Sequence, residues 1–306
     1  MFGDLFDAAL LDSVVRALIP VLLAALGGMI CERAGVFQIS LEGLLLTGAF
    51  AAVAGSYAAE SALVGALTAM VAGGVLALVL AFGSVTRGGD PIVLGVATNL
   101  AALGLTSFLL GQLFGVRGVF QDPRIDGLER LAIPWLSDLP VMGGALFRTT
   151  IPAYAALLLV PALWVFLIRT TIGLRLRGVG ERPLAAHALG VNPVRYKYAA
   201  VAASGVLAGL GGAQLALGNV VQFAENMSAG RGWIAVVAVL LGRAHPVAVL
   251  GASALFGFAE ALGFRLQGNG LPVQVTDALP YVVTLVALIV ARRRFTRLLD
   301  LTAAST

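Results

Sequence analysis

Long apolar runs separated by short charged intervals set the pattern of this chain. Ser61–Thr86, Pro91–Val116, Thr149–Ile168 and Tyr198–Ala224 each proceed without one charged side chain. About 20 apolar residues, rising 1.5 Å each, cross a hydrocarbon core of about 30 Å as an α-helix. Five further runs, Leu10–Cys31, Val36–Ala59, Gly232–Gly242, Ala244–Gly263 and Pro272–Ala291, are shorter or carry a charge near one end. The pattern predicts an all-α, polytopic transmembrane bundle of about nine spans, with residues 1–306 forming one membrane domain. Gly232–Gly242 is too short to cross alone and reads as a re-entrant or tilted half-helix.

Composition agrees with lipid as the solvent: 59% of residues are hydrophobic and only 12% charged, where a soluble surface needs roughly a quarter charged. Asp4, Asp7 and Asp12 precede any basic residue, the reverse of a secretory signal, so the first apolar run is expected to stay in the protein. Cys31 is the sole cysteine, which excludes an internal disulfide. Small residues recur every fourth position, as Ser204, Ala208, Gly212 and as Gly205, Gly209, Ala213. Such ridges let helix backbones approach closely, the main source of cohesion between helices in lipid.

The charges follow topology. The interval 169–197 holds Arg169, Arg175, Arg177, Arg182, Arg195 and Lys197 against Glu181, and the tail adds Arg292, Arg293, Arg294 and Arg297. Basic loops stay in the cytoplasm, so both are expected inside, with the N-terminus outside. The interval 117–148 balances four arginines against four acids and fits an external loop, partly ordered around Trp135. Asp12 and Arg16 lie one helical turn apart and can neutralise each other. The net charge of +4 therefore reflects orientation in the inner membrane, not nucleic-acid binding.

Polar residues within the spans are few, and buried polar groups in a bilayer usually face the bundle interior or a water-filled route. Gln38 and Glu42 share a helix face, Asn99 lies in the fourth span, Gln214 in the sixth and Glu260 in the eighth. All five are candidates for a solute pathway. Glu42 can alternatively pair with Arg33 or a backbone nest, and the amides of Gln38 and Asn99 can instead bond between helices. Arg231 and Trp233 read as an interfacial anchor. One cysteine and two histidines, His187 and His245, supply no zinc cluster of the usual ligand set. The only lysine, Lys197, stands between Tyr196 and Tyr198, outside any phosphate-binding loop. No nucleophile–base pair suggests an enzyme.

The interval Gly178–Asn192 (GVGERPLAAHALGVN) reads as a short surface helix. Pro183 suits its first position, Gly190 the left-handed residue after its end, and Glu181 the positive end of its dipole. Ala185, Ala186 and Leu189 would form an apolar knob. This segment resembles the coupling helix of ABC importer permeases, in the branch that carries nucleosides and simple sugars and is related to the branched-chain amino acid and ribose permeases. Glu32–Gly43 (ERAGVFQISLEG), Leu100–Leu109 (LAALGLTSFL), Glu225–Trp233 (ENMSAGRGW) and Leu255–Leu262 (LFGFAEAL) extend the resemblance along the chain. Arg182 stands where relatives usually have asparagine, a better helix cap, and Gln38 also replaces an asparagine.

The resemblance implies a permease that holds no cofactor itself, with ATP and Mg on a cytoplasmic ABC ATPase subunit. That subunit would grip Glu181, Arg182, Pro183, Leu184, Ala185, Ala186, His187, Leu189 and Gly190. It also implies a second permease subunit, identical or different, an external solute-binding lipoprotein or periplasmic protein, and a small-molecule solute, a nucleoside or alternatively a simple sugar such as ribose or galactose. An ion-coupled secondary transporter is the rival from another class, and it would show buried acids on inverted repeats. Glu42 and Glu260 are the only acids of that kind here, and no repeat is evident.

Overall fold

The computed structural model describes residues 8–132 and 147–268, and beyond them 276, 278–283, 285–286 and 289. Ten helices are assigned among the described residues: α1 Ala8–Arg33, α2 Leu41–Ala59, α3 Ala62–Ala81, α4 Pro91–Phe114, α5 Ile151–Arg169, α6 Thr171–Glu181, α7 Pro183–Ala188, α8 Pro193–Ala213, α9 Arg231–Leu241 and α10 Pro246–Gly268. Short π-helical turns extend α3 (Phe82–Thr86) and α8 (Gln214–Val220). Four short strands complete the elements: β1 Val119–Phe120, β2 Arg130–Ala132, β3 Arg148–Thr150 and β4 Phe223–Ala224.

Seven of these helices are long and apolar enough to cross a membrane. The expected nine is therefore met at seven positions among the described residues. Gly232–Gly242 becomes the 11-residue α9, about 16 Å long and thus half a span. Half of Pro272–Ala291 lies outside the described residues, as do Trp135 and the tail arginines.

α1 is the axis of the bundle. It is buried along nearly its whole length and packs against α8, α10, α9 and α5, while α8 in turn packs on α3 and α2. Both small-residue ridges of α8 are used. A Cβ on Gly209 would stand 2.2 Å from the Ala69 carbonyl of α3, and one on Gly212 would stand 2.2 Å from the Leu45 carbonyl of α2. These contacts are possible only because neither residue carries a side chain. By contrast α3, α4 and α5 turn large apolar residues outward, such as Val71, Leu100 and Leu158.

The predicted second span begins late. Gly35 (φ +74°) ends α1, with its N–H to the Glu32 carbonyl and the Val36 N–H to the Cys31 carbonyl, the glycine-terminated cap that satisfies the last carbonyls of a helix. Residues 36–39 then run without helical structure, and α2 starts only at Leu41.

The two ends of the bundle carry different groups. At one end the Arg33 guanidinium meets the carbonyls of Arg243 and Ala244, Gly35 abuts Gly180 of α6, and the Thr86 and Tyr198 hydroxyls share a hydrogen bond. At the other, Asp12 forms the expected ion pair with Arg16 and a second with Arg130. There β1 pairs antiparallel with β4, Val119 facing Ala224 and Phe120 facing Phe223. Phe50, Tyr57, Phe114, Phe120 and Phe223 cluster beneath them. The Asp126 carboxylate accepts from the Ala62 N–H (3.0 Å) at the start of α3. The backbone N–H of Arg124 holds the exposed Asp122 carboxyl below its usual range. Arg33, Thr86, Gly180 and Tyr198 thus share one end of the bundle, and Asp12 and Arg130 the other.

Candidate functional site

At the Arg33 end, residues 170–192 fold as two helices where the sequence pointed to one. The Thr170 hydroxyl accepts from the Gly173 N–H (3.0 Å) and starts α6, the local cap that threonine supplies at a helix start. Pro183 opens α7, and Gly190 (φ +80°) follows its end, as expected. Arg182 occupies the cap position and makes no side-chain cap bond, which is the weakness that a missing asparagine predicts. Glu181 closes α6, and His187 lies exposed in the last turn of α7.

The apolar knob needs correction. Leu184 and Leu189 are 86% and 84% exposed and Ala185 is exposed too, but Ala186 is buried. Two helical positions turn about 200°, so on so short a helix Ala186 points away from Leu184. A groove of about 630 Å³ runs alongside, walled by Leu174, Arg175, Arg182, Ala185 and Leu189 among others.

α6 ties this surface to the bundle. A Cβ on Gly180 would meet the Arg33 carbonyl at 2.3 Å, so α6 lies directly against the end of α1. Arg33 then reaches the turn between α9 and α10, its Nε donating to the Ala244 carbonyl (2.7 Å) and its Nη2 to that of Arg243 (3.3 Å).

The near end of α9 is held just as closely. Glu42 Oε1 accepts from the Gly230 N–H (2.8 Å) and Oε2 from the Gly232 N–H (2.6 Å). A carboxylate is well placed at the positive end of a helix dipole, and in lipid those N–H groups have no water to turn to. Of the roles open to Glu42, the structure displays a backbone cap, made to α9. Asn99 acts similarly on α2: its Oδ1 accepts from the Gly43 N–H (2.8 Å), and its Nδ2 donates to the Ile39 carbonyl (3.1 Å). It thereby satisfies the non-helical strand that precedes α2.

Next to these, Arg231 forms an ion pair with Glu260. Their side chains are only 18% and 12% exposed, so Arg231 is an interior residue and not the interfacial anchor expected from its position. Trp233 is exposed. Glu42, Asn99 and Glu260 thus gather around the first turns of α2 and α9. Gln38 and Gln214 stand apart from them. Gln38 donates to the Ser40 hydroxyl (3.1 Å) and leaves its buried Oε1 without a partner. Gln214 accepts from Thr150 (2.5 Å) and donates to Asn219 (3.3 Å), which continues to the Arg16 carbonyl (3.3 Å) towards the Asp12 end. Thr150, Asn219 and Arg231 were not anticipated, because the networks join elements distant in sequence.

Among the described residues no three His, Cys, Asp or Glu side chains cluster as metal ligands. What the arrangement offers is an apolar bundle with a polar interior seam and a short exposed helix at one end. That is the make-up of a multi-pass membrane permease.

The chain belongs to the family described as branched-chain amino acid transport system / permease component, which matches residues 10–288. The guanosine ABC transporter permease protein NupQ of Bacillus subtilis is 36% identical over 88% of this chain and 87% of its own length. The nucleoside ABC transporter permease protein NupC of Lactococcus lactis is 34% identical over the same shares, 88% and 87%. A provisionally assigned glucose ABC transporter permease protein, TsgC13 of Haloferax volcanii, is 37% identical over 87% of this chain and 80% of its own. The fold also resembles a solved ABC transporter in an inward-facing conformation, with TM-score 0.54, 17% identity and coverage of 91% of this chain and 85% of that one.

Proposed function

We propose that this chain is the membrane-spanning subunit of an ATP-driven importer that passes nucleosides through the bacterial inner membrane. In this reading a separate ATPase subunit carrying ATP and Mg docks on α7 from the cytoplasm. A second permease subunit completes the pore, and an external binding protein delivers the solute. The Arg33 end and the C-terminus then face the cytoplasm, and the N-terminus faces outward, in keeping with the basic interval 169–197.

The observation that carries the reading is the pair of exposed leucines, Leu184 and Leu189, on a short helix with an adjoining groove. Large apolar side chains so exposed on a basic loop suit a partner's hydrophobic pocket. Behind them, Gly180 against Arg33, and Arg33 against the turn that follows α9, form a packed route from that surface to the polar seam. Among the candidates on that seam, Glu42 and Asn99 hold α2 and α9 in place, and Glu260 lines the open space beside them.

Nucleosides are favoured by the likeness to NupQ and NupC; a simple sugar is the second reading, favoured by the likeness to TsgC13. Uptake of labelled guanosine, ribose and glucose into vesicles carrying the assembled transporter distinguishes them. ATP-dependent guanosine uptake is the expected result. Uptake that persists without ATP and collapses with the ion gradient would reject the importer in favour of a secondary transporter.

A further inference from the structure

Between α9, α10 and the stretch containing Thr276, Pro280 and Tyr281 lies a cavity of about 410 Å³. Pockets that enclose small organic molecules measure about 300–1,000 Å³. Its wall includes both members of the Arg231–Glu260 pair, together with Thr276 and Tyr281 as hydroxyl groups and Ile234 and Phe264 as apolar surface. Arg231 is fixed by more than its acid: Nη1 also donates to the carbonyls of Met227 (3.1 Å) and Ser228 (3.4 Å) in the turn leading into α9. Glu260 Oε1 takes the guanidinium, while among the described residues Oε2 accepts no hydrogen bond. The Tyr281 hydroxyl lies over Gly230, where a Cβ would come within 2.4 Å of it.

We propose that this cavity is a solute subsite that recognises a vicinal diol, the paired hydroxyls of a ribose or a hexose. The proposal rests on the importer reading above and deepens it. A shielded ion pair adds little stability over apolar packing, and charged residues that face the interior of a membrane bundle usually mark a function. The pair is neutral overall, so it attracts neither an anion nor a cation, each of which would have to separate it. A zwitterionic amino acid would have to replace both of its partners. A diol can bridge it intact: one hydroxyl donates to Glu260 Oε2, the oxygen of its neighbour accepts from the guanidinium edge, and the Tyr281 hydroxyl on the same wall bonds one of the two. Phe264 and Ile234 then face the apolar side of the sugar or base.

The test uses the whole transporter in liposomes, this chain with its ATPase, partner permease and external binding protein. ATP-dependent uptake is measured for guanosine against 2′,3′-dideoxyguanosine, which has no vicinal diol, and for glucose, in wild type and Glu260→Gln. The binding protein is the same in both preparations, so a changed preference for the hydroxyls must arise in this chain. For the solute carried, Glu260→Gln should lower uptake about tenfold, the worth of one charge-assisted hydrogen bond, and that of the dideoxynucleoside less than about twofold. Equal losses for the carried solute and the dideoxynucleoside, no change in either, or competition by leucine as strong as that by the carried solute would overturn the subsite. Tyr281→Phe leaves the ion pair alone and serves if Glu260→Gln does not assemble. It should shift the same ratio about threefold, a neutral hydrogen bond being the weaker kind, and an unchanged ratio rejects the proposal. If wild type takes up neither guanosine nor glucose with ATP, the importer reading for these solutes falls, and the subsite falls with it.

Discussion

The two shortest helices bounded by glycine, α7 and α9, make opposite use of the same ingredients. α7 has six residues and α9 eleven. At α7 the first turn has no side-chain cap, and Leu184 and Leu189 project from the protein. At α9 the first turn is gripped by Glu42 of α2, and Arg33 of α1 holds the turn that follows its last residue. A helix so short has little stability of its own. α9 obtains it from the Glu42 cap and from packing within the chain, whereas α7 leaves Leu184 and Leu189 exposed. The difference separates a helix fixed within the bundle from one whose apolar side chains are left open.

The strongest way to break this comparison is at Gly232. A Cβ there would meet the Glu42 N and Cα at 2.3 Å, so Gly232→Leu must push two helix starts apart. Overpacking against backbone of this kind costs about 3 kcal/mol or more, and recovery of monodisperse protein on size exclusion should collapse. Gly178→Ala on α6, where a Cβ meets nothing within 4 Å, should leave recovery unchanged.

Next comes Glu42→Ala, which strands two backbone N–H groups in the bundle and should lower stability by about 2–3 kcal/mol; Glu42→Gln should restore part of it. Thermal unfolding in detergent measures both. Equal stability of Glu42→Ala and wild type would mean that α9 is not held by this carboxylate.

Leu184→Asp combined with Leu189→Asp should act in the reverse sense. Unfolding should shift by less than about 1 kcal/mol for such surface changes, while ATP-dependent uptake should fall at least about tenfold through loss of apolar anchors. Normal uptake would remove α7 from the docking surface. Ala186→Arg is a poorer probe, since Ala186 is buried and the change would disturb the fold of α7 itself.

The smallest effect belongs to Arg182→Asn. Supplying the missing cap should stabilise α7 by about 0.5–1 kcal/mol, visible as slower amide exchange at Ala185 and Ala186. Uptake should not change.

Much of this was legible along the chain. Apolar runs of span length located the seven crossing helices, because lipid demands that length whatever the neighbours. Pro183 and Gly190 bounded α7 because their backbone preferences are local. The late start of α2 was not legible: Val36–Ala59 is apolar enough to pass for a span, and only the hydrogen bonds from Asn99, some sixty residues on, show where the helix begins. Arg231 misled for the same reason. A basic residue at a helix start suits a membrane surface, but Glu260, 29 residues away, draws it inside.

The residues in order thus determined which segments cross the membrane, which end carries the basic loop and where α7 turns, since each depends on hydrophobicity or backbone preference within a few positions. The tertiary structure alone decided which side chain caps which helix, which apolar residues remain outside, and that Arg231 and Glu260 meet beside a cavity. Those outcomes depend on hydrogen bonds and packing between segments far apart in the chain, and a periodicity cannot encode them.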